Sequence, residues 1–524
     1  MRIFSFLSLI FLFSFSSVQA EPVDRKEEVK QFVQDTLSMM EVSVEQQAEG
    51  GDLRFEGELA VEEVDGYYAV TTPDISYYLG KYRVEIGMIA SNMMLLTEPG
   101  EVDQWSISAA LPTPIFVYEE DKMIGQLKVG NQKISSLWVP SILFWANLDY
   151  EFTDIEYNDF VKSTKVSVDS VKVKRTSIPL DDGLWNIDEA AMISDISVKT
   201  PSDQGFFRIG GMDVTSKTQA FDPLTVKRNV DNLNALTTWS VENENNVDIT
   251  AFMDIFKNLT QSFQQAKTTI NVKDITFKDS KKGDTFSIPD FKMTSDYRNN
   301  EAGYVSGGLS FNVDEIQTEA QPAVAQIAQT TLPLVFDFQY HVENFPKWDT
   351  LKPIFEEAQA LSKLEAQPDA DPMVVEAKNK ALQEKLTASL QEVGLVVGID
   401  KLSIGIPTSS LNIKGDFRFD EAAAKDVVTD FVITISGLEE TMQKSGQQAG
   451  PVAMFLPMIT AMGEVVEDSD PNSKSVTYKY HIQLTQSGQM LVNGQDMSSM
   501  MGGMAPSEEP AGIVNPHMSP APLQ

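Results

Sequence analysis

The sequence predicts a mainly β, α+β protein: an extended, curved antiparallel sheet built from repeated strand pairs, with helical insertions. Three observations predict it. Apolar and polar residues alternate with period two in Val166-Ser167-Val168, Val171-Lys172-Val173 and Ile270-Asn271-Val272, which sends one set of side chains to each face of a strand. Turn residues punctuate these runs at Asp65-Gly66, Asp181-Asp182-Gly183 and Lys282-Gly283-Asp284. A unit of turn, strand, short link and glycine-bearing strand recurs. It reads Gly66 to Val70, Ile75, then Tyr82 to Ile89 around Gly87. It returns as Gly183 to Ile187, Ile193 and Ile196, then Phe207 to Val214 around Gly210 and Gly211. A third copy runs Gly283 to Ile288, Phe291, then Tyr304 to Val313 around Gly307 and Gly308. Glycine inside a strand marks a bulge or bend.

The elements follow in order. Residues 1–20 form a signal peptide: Arg2 is the charged start, Ile3 to Phe15 the apolar run, and Val18 and Ala20 the small residues before a cut at Glu21. The run is shorter than the ~18–20 residues that span a bilayer, and cleavage leaves an exported chain without a transmembrane span. Residues 21–50 carry an N-terminal helix, with Val29, Phe32, Val33, Leu37 and Met40 at helical spacing. Residues 51–320 are the β-rich repeat region, interrupted by an amphipathic helix from Ile249 to Ala266. Residues 321–497 mix helix and strand. Helices are expected over Leu351–Leu364 and Met373–Val393, with strands at Leu334–Tyr340, Leu395–Ile406, Leu411–Phe419 and Val427–Ile435. A last helix, Pro451–Val466, precedes strands at Val476–Leu484 and Met490–Val492. The Met-, Pro- and Gly-rich tail, 498–524, lacks periodicity and reads as disordered.

Composition narrows the function. With 41 Lys plus Arg against 76 Asp plus Glu, the net charge is −35. That repels nucleic acid and anionic surfaces and favours solubility. The chain has no cysteine, so it is held by core burial alone and has neither thiol nucleophiles nor cysteine zinc sites.

No reaction centre stands out, and no catalytic residue, metal site or cofactor is assigned. The three histidines include His341 and His481 in strand patterns and His517 in the tail. None has metal-hydrolase spacing. No Gly-x-Ser-x-Gly elbow and no phosphate or dinucleotide loop occurs. Asp468-Ser469-Asp470-Pro471-Asn472 starts like a calcium loop, but Ser473 and Lys479 stand where glycine and a bidentate glutamate belong. Met497, Met500, Met501 and Met504 have soft thioethers suited to Cu(I), but they sit in low-complexity sequence that accounts for them. The aromatics of the first half have two readings: core, or the lining of an apolar groove. On the second, Tyr67, Tyr78, Trp138 and Trp145 are the candidate ligand-binding residues.

The C-terminal third carries Leu411 to Phe419 around Gly415, Ile433 to Leu438 around Gly437, and Tyr478 to Gly494 closing on Asn493-Gly494. This layout resembles the YdgA-like family of bacterial envelope proteins of unknown function. The resemblance covers residues 330–495 and implies an envelope setting without supplying catalytic residues. Family members commonly keep a membrane anchor, whereas this leader reads as cleaved.

The expected protein is therefore a periplasmic, non-enzymatic binding protein that shields an apolar or lipid ligand on a curved sheet. The alternative is a structural or assembly factor of the cell envelope acting through protein partners.

Overall fold

The computed structural model describes residues 25–47, 51–96, 103–142, 144–180, 183–200, 205–229, 261–279, 284–299, 304–319, 334–365, 371–423, 426–440, 460–466 and 476–497, with residues 232, 251, 254, 255, 257, 258 and 367 between them. The leader, the 468–472 loop and the tail from Ser498 lie outside these.

The sheet is a single antiparallel meander whose first strands are broken in the middle. β1 (Gly51–Glu56) and β2 (Ala60–Val64) are halves of one line. So are β3 (Tyr67–Thr71) and β4 (Asp74–Leu79), β5 (Tyr82–Gly87) and β6 (Ala90–Leu95), β7 (Trp105–Ala110) and β8 (Ile115–Glu119), and β9 (Lys122–Lys128) and β10 (Asn131–Val139). One set of halves makes the wing β2-β3-β6-β7-β10. The other makes β1-β4-β5-β8-β9. Both wings end on β11 (Phe144–Asp159), with β10 along its first part and β9 along its last.

From β11 the strands run whole. β12 (Thr164–Pro179), β13 (Trp185–Lys199), β14 (Phe206–Phe221), β15 (Gln265–Asp279), β16 (Asp284–Asn299), β17 (Val305–Glu319), β18 (Leu334–Phe345), β19 (Val396–Ile406), β20 (Ser409–Phe419) and β21 (Val427–Ser436) each pair with the next. β22 (Glu464–Val466) and β24 (Met490–Val492) border β23 (Thr477–Leu484), which pairs with β21. β25 (Gln495–Asp496) closes the chain onto β24.

The breaks form one line. In the wings it passes through Gly57, Thr72-Pro73, Gly87, Leu111 to Pro114 and Gly130. In the long strands it continues at Asp154, Asp195, Asp274 and Glu315, all with positive φ between 44 and 52°. The pairing leaves out each of them together with the residue opposite, and the register is the same on both sides. Such left-handed breaks, aligned across neighbouring strands, crease the sheet. Gly210 faces Asp274, and a Cβ there would lie 2.8 Å from Asp274 Cβ.

Helix α1 (Arg25–Gln47) lies in this crease between the wings. Val29 and Val33 pack with Val61, Val70, Met93, Trp105 and Trp138 of one wing. Val44 packs with Leu53, Ile75, Ile86 and Ile115 of the other. Arg25 anchors the start of the helix, 2.7 Å from Asp103.

Helices α2 (Trp348–Glu365) and α3 (Pro372–Glu392) form a hairpin between β18 and β19. Asp371 caps α3, accepting from the Met373 amide, with Pro372 in the first turn.

Three expectations change. The helix expected to run to Ala266 gives way to β15 at Gln265. Val465 and Val466, expected to close a helix, pair as strand with Tyr478 and Thr477, where β-branched side chains fit the pleat. Of the repeat glycines, Gly87 and Gly210 lie on the crease; Gly307 and Gly308 sit nearer the other end of their strand.

Candidate functional site

The face that receives α1 continues along every later strand. Cross-strand partners share a face, so the pairings define rows of side chains. One row reads Tyr150, Val173, Ala191, Val214, Ile270, Met293, Phe311, Phe338, Leu402, Ile413, Ile433 and Tyr480. The next, on the crease side, reads Phe152, Val171, Ile193, Met212, Val272, Phe291, Val313, Phe336, Ile404, Leu411, Ile435 and Tyr478. Beyond the crease, Ile155, Val168, Ile196, Ile209, Ile275 and Ile288 continue the band. At about 4.8 Å per strand the band is roughly 50 Å long.

Between these rows the opposite face carries Glu151, Lys172, the exposed Met192, Asp213, Asn271, Lys292, Asn312 and Asp337. Ion pairs lace that outer face, including Lys172–Glu151 at 2.7 Å and Lys401–Asp337 at 2.6 Å.

The apolar face is covered at its two ends. At the first end α1 fills the crease. At the last, Gly463 lies against Tyr478 and Tyr480, which are both buried. The Tyr478 hydroxyl donates to Glu439; that hydrogen bond, with burial, pushes its pKa up to about 12. Between these ends, from Val171 to Ile413, the row residues are half-exposed, and no second layer covers them among the described residues.

On the side of the trough that carries α2 and α3, the next row is polar across β12 to β16: Arg175, Glu189, Ser216, Thr268, Ser295. Arg175 donates to Glu189 at 2.7 and 2.9 Å, and the Ser216 and Thr268 hydroxyls stand 3.2 Å apart. This border stops at β17, where Leu309 and Tyr340 take over. A pocket of about 430 Å³ opens at that point, walled by Tyr297, Tyr340, Phe345, Trp348 and Leu351.

Gly307, the row position between Tyr297 and Val342, is part of its lining and adds no side chain there. A Cβ there would meet the Asp296 carbonyl oxygen at 2.6 Å. Asp254 fixes the wall by accepting from Trp348 Nε1 and from Lys352 Nζ, both at 2.7 Å. The Lys352 hydrogen bond, seconded by that of Trp348, holds the Asp254 carboxyl below the usual carboxylate range against the opposing effect of burial.

The four aromatics chosen from sequence do not form one lining. Trp138 and Trp145 are on the trough face, but both stack against Phe32 of α1, with ring centroids 5.6 and 6.4 Å away. They belong to the filled core. Tyr67 and Tyr78 alternate with the inward Tyr68 and Tyr77 and so stand on the outer face, Tyr78 beneath the Arg54 guanidinium at 4.2 Å.

His341 and His481 also face outward, on separate strands. His341 Nδ1 is 2.9 Å from Asp400 and His481 Nε2 is 2.7 Å from Asp430. Among the described residues no cluster of three or more His, Asp or Glu is placed to hold a metal.

The long-strand residues that line the open trough were missed as a group. Their signal was the dipeptide Asp154-Ile155, Asp195-Ile196, Asp274-Ile275 and Glu315-Ile316, an acid at the left-handed break followed by an inward isoleucine on alternate strands. No protein-family model, curated protein or solved structure matches this chain.

Proposed function

We propose that this chain is an exported, non-enzymatic protein of the bacterial envelope that shields the acyl chains of a lipid in its trough. The supporting observation is the pair of apolar rows that stay unbroken from β11 to β23 and half-exposed between the covered ends. Such a face is costly in water at about 25 cal/mol per Å². Apart from the terminal tyrosines, the two rows offer side chains without hydrogen-bonding groups. An extended peptide would bring backbone amides that need partners; an acyl chain brings none. The periplasmic setting rests on the leader-like residues 1–20 and on the resemblance to YdgA-like proteins.

Native mass spectrometry of the chain purified without detergent from periplasmic extract, followed by organic extraction, tests this. Lipid in at least stoichiometric amount is expected, falling sharply in Phe311→Asp, which puts a charge in the middle of the band. A bare wild-type protein would move the weight to the second reading, a factor that docks protein partners. That reading is favoured by α3, which has no buried residue and shows Met373 at 79 % exposure beside the exposed Val374.

A further inference from the structure

The pocket beside the trough differs from the trough in chemistry. The trough rows are apolar throughout. The pocket adds aromatic rings with polar tips, Tyr297, Tyr340 and Trp348, two lysines, Lys257 and Lys347, and Asp296, whose carboxylate is paired with Arg298 at 3.9 Å. Rings of this kind suit a boundary where one side is dry and the other wet. The lysines are not equivalent. Lys257 Nζ is 2.5 Å from Asp349. Lys347 lies over the Tyr304 ring, 5.5 Å from its centroid, and has no carboxylate within ion-pair distance among the described residues. In a chain of net charge −35, Lys347, a half-buried residue without a carboxylate partner among the described residues, leaves a positive charge in the lining of this pocket. It also sits where the polar border of the trough ends.

Resting on the reading of the trough as a lipid site, we propose that this pocket seats the anionic headgroup of a glycerophospholipid whose acyl chains run from Leu309 and Tyr340 into the apolar rows, with Lys347 as the counter-charge. An unpaired ammonium selects a headgroup of net negative charge over a zwitterionic one, because the latter carries its own cation to the same place. Gly307, without a side chain, gives the phosphate and glycerol their room, and the Asp254–Trp348 hydrogen bond keeps the indole upright at the chain–headgroup junction. Chain burial sets how much lipid is held; Lys347 sets which lipid.

The test uses the full chain incubated with vesicles of equimolar phosphatidylglycerol and phosphatidylethanolamine, re-isolated, and its bound lipid quantified. Wild type is expected to enrich phosphatidylglycerol on the order of tenfold, the worth of one charge-assisted contact. Lys347→Gln is expected to lose that enrichment while holding the same total lipid, and Lys347→Arg to keep it. Equal uptake of both lipids by wild type, or enrichment unchanged in Lys347→Gln, would overturn the headgroup site and leave the trough reading standing. No lipid of either kind on wild type would overturn both.

Discussion

Ile75 and Ile270 occupy the same face of the same sheet and differ in what lies over them. Ile75 is fully buried under α1 with Val44 and Ile86; Ile270 is half-exposed in the open band. Truncating the first leaves a cavity, so Ile75→Ala is expected to cost ~2–5 kcal/mol. Truncating the second leaves no enclosed cavity and loses only part of a transfer term, so Ile270→Ala should cost about 1 kcal/mol or less. Urea unfolding of the two variants checks this, and equal losses would mean that the open band is covered after all. The same contrast explains which residues were legible. Alternation places Tyr77 and Tyr78 on opposite faces. It carries no information on which face a distant helix will cover, so for Trp138 and Trp145 the sequence leaves both core and lining open. That information lies in Phe32, more than a hundred positions upstream.

The crease is the element that makes the trough, and it is built from residues held where most side chains are disfavoured. Asp154, Asp195 and Asp274 have φ of 52, 44 and 52°. Left-handed backbone costs an ordinary L-residue roughly 1–2 kcal/mol, and aspartate tolerates it better than a β-branched residue does. Asp274→Val should therefore destabilise by about 1–2 kcal/mol, while Asp274→Asn should fall within about 0.5 kcal/mol of wild type. Paired denaturation midpoints measure this; a loss as large in the asparagine variant would mean the carboxylate charge holds the break, not the backbone preference. The strands themselves were readable from period two, because each has one polar and one apolar face. The crease was not. The left-handed residue Asp195 shifts the alternation by one, so Ile193 and Ile196 look out of phase in sequence although both belong to the apolar band. The helices α2 and α3 were located to within a few residues because Leu361 and Leu382 recur on a packed stripe and Pro372 marks a start. Val465 and Val466 misled because three residues are too few to show either period.

For the whole molecule, what matters is that the apolar face is continuous but not open-ended. Ion pairs such as Lys172–Glu151 and Lys401–Asp337 lie on the outer face, the inner face carries Arg175–Glu189 at its border, and a net charge of −35 keeps the particles apart. The inner face collects the apolar side chains of every strand. A sheet of this kind could pass lipid along its length only if both ends were free. Here α1 occupies the crease at the first end, with Val29 and Val33 seated on Trp105 and Trp138, and Gly463 covers Tyr478 and Tyr480 at the last. The polar border between these ends runs across β12 to β16 and stops at the pocket at β17 and β18; beyond it the same row is apolar, with Ile399, Gly415, Phe431 and Ile482. A trough occupied at both ends has a fixed length, and so a fixed capacity. As the lipid-to-protein ratio of the vesicles rises, the number of lipids per chain in native mass spectra should reach a plateau and stay there. The plateau should fall when Phe311 or Phe338, in the middle of the band, is replaced by aspartate. It should not change with Tyr67→Ala or Tyr78→Ala, whose side chains face away from the trough. Uptake that climbs without limit would mean lipid runs through the ends, and the sheet would then have to be read as a conduit in which α1 or the Gly463 segment moves aside.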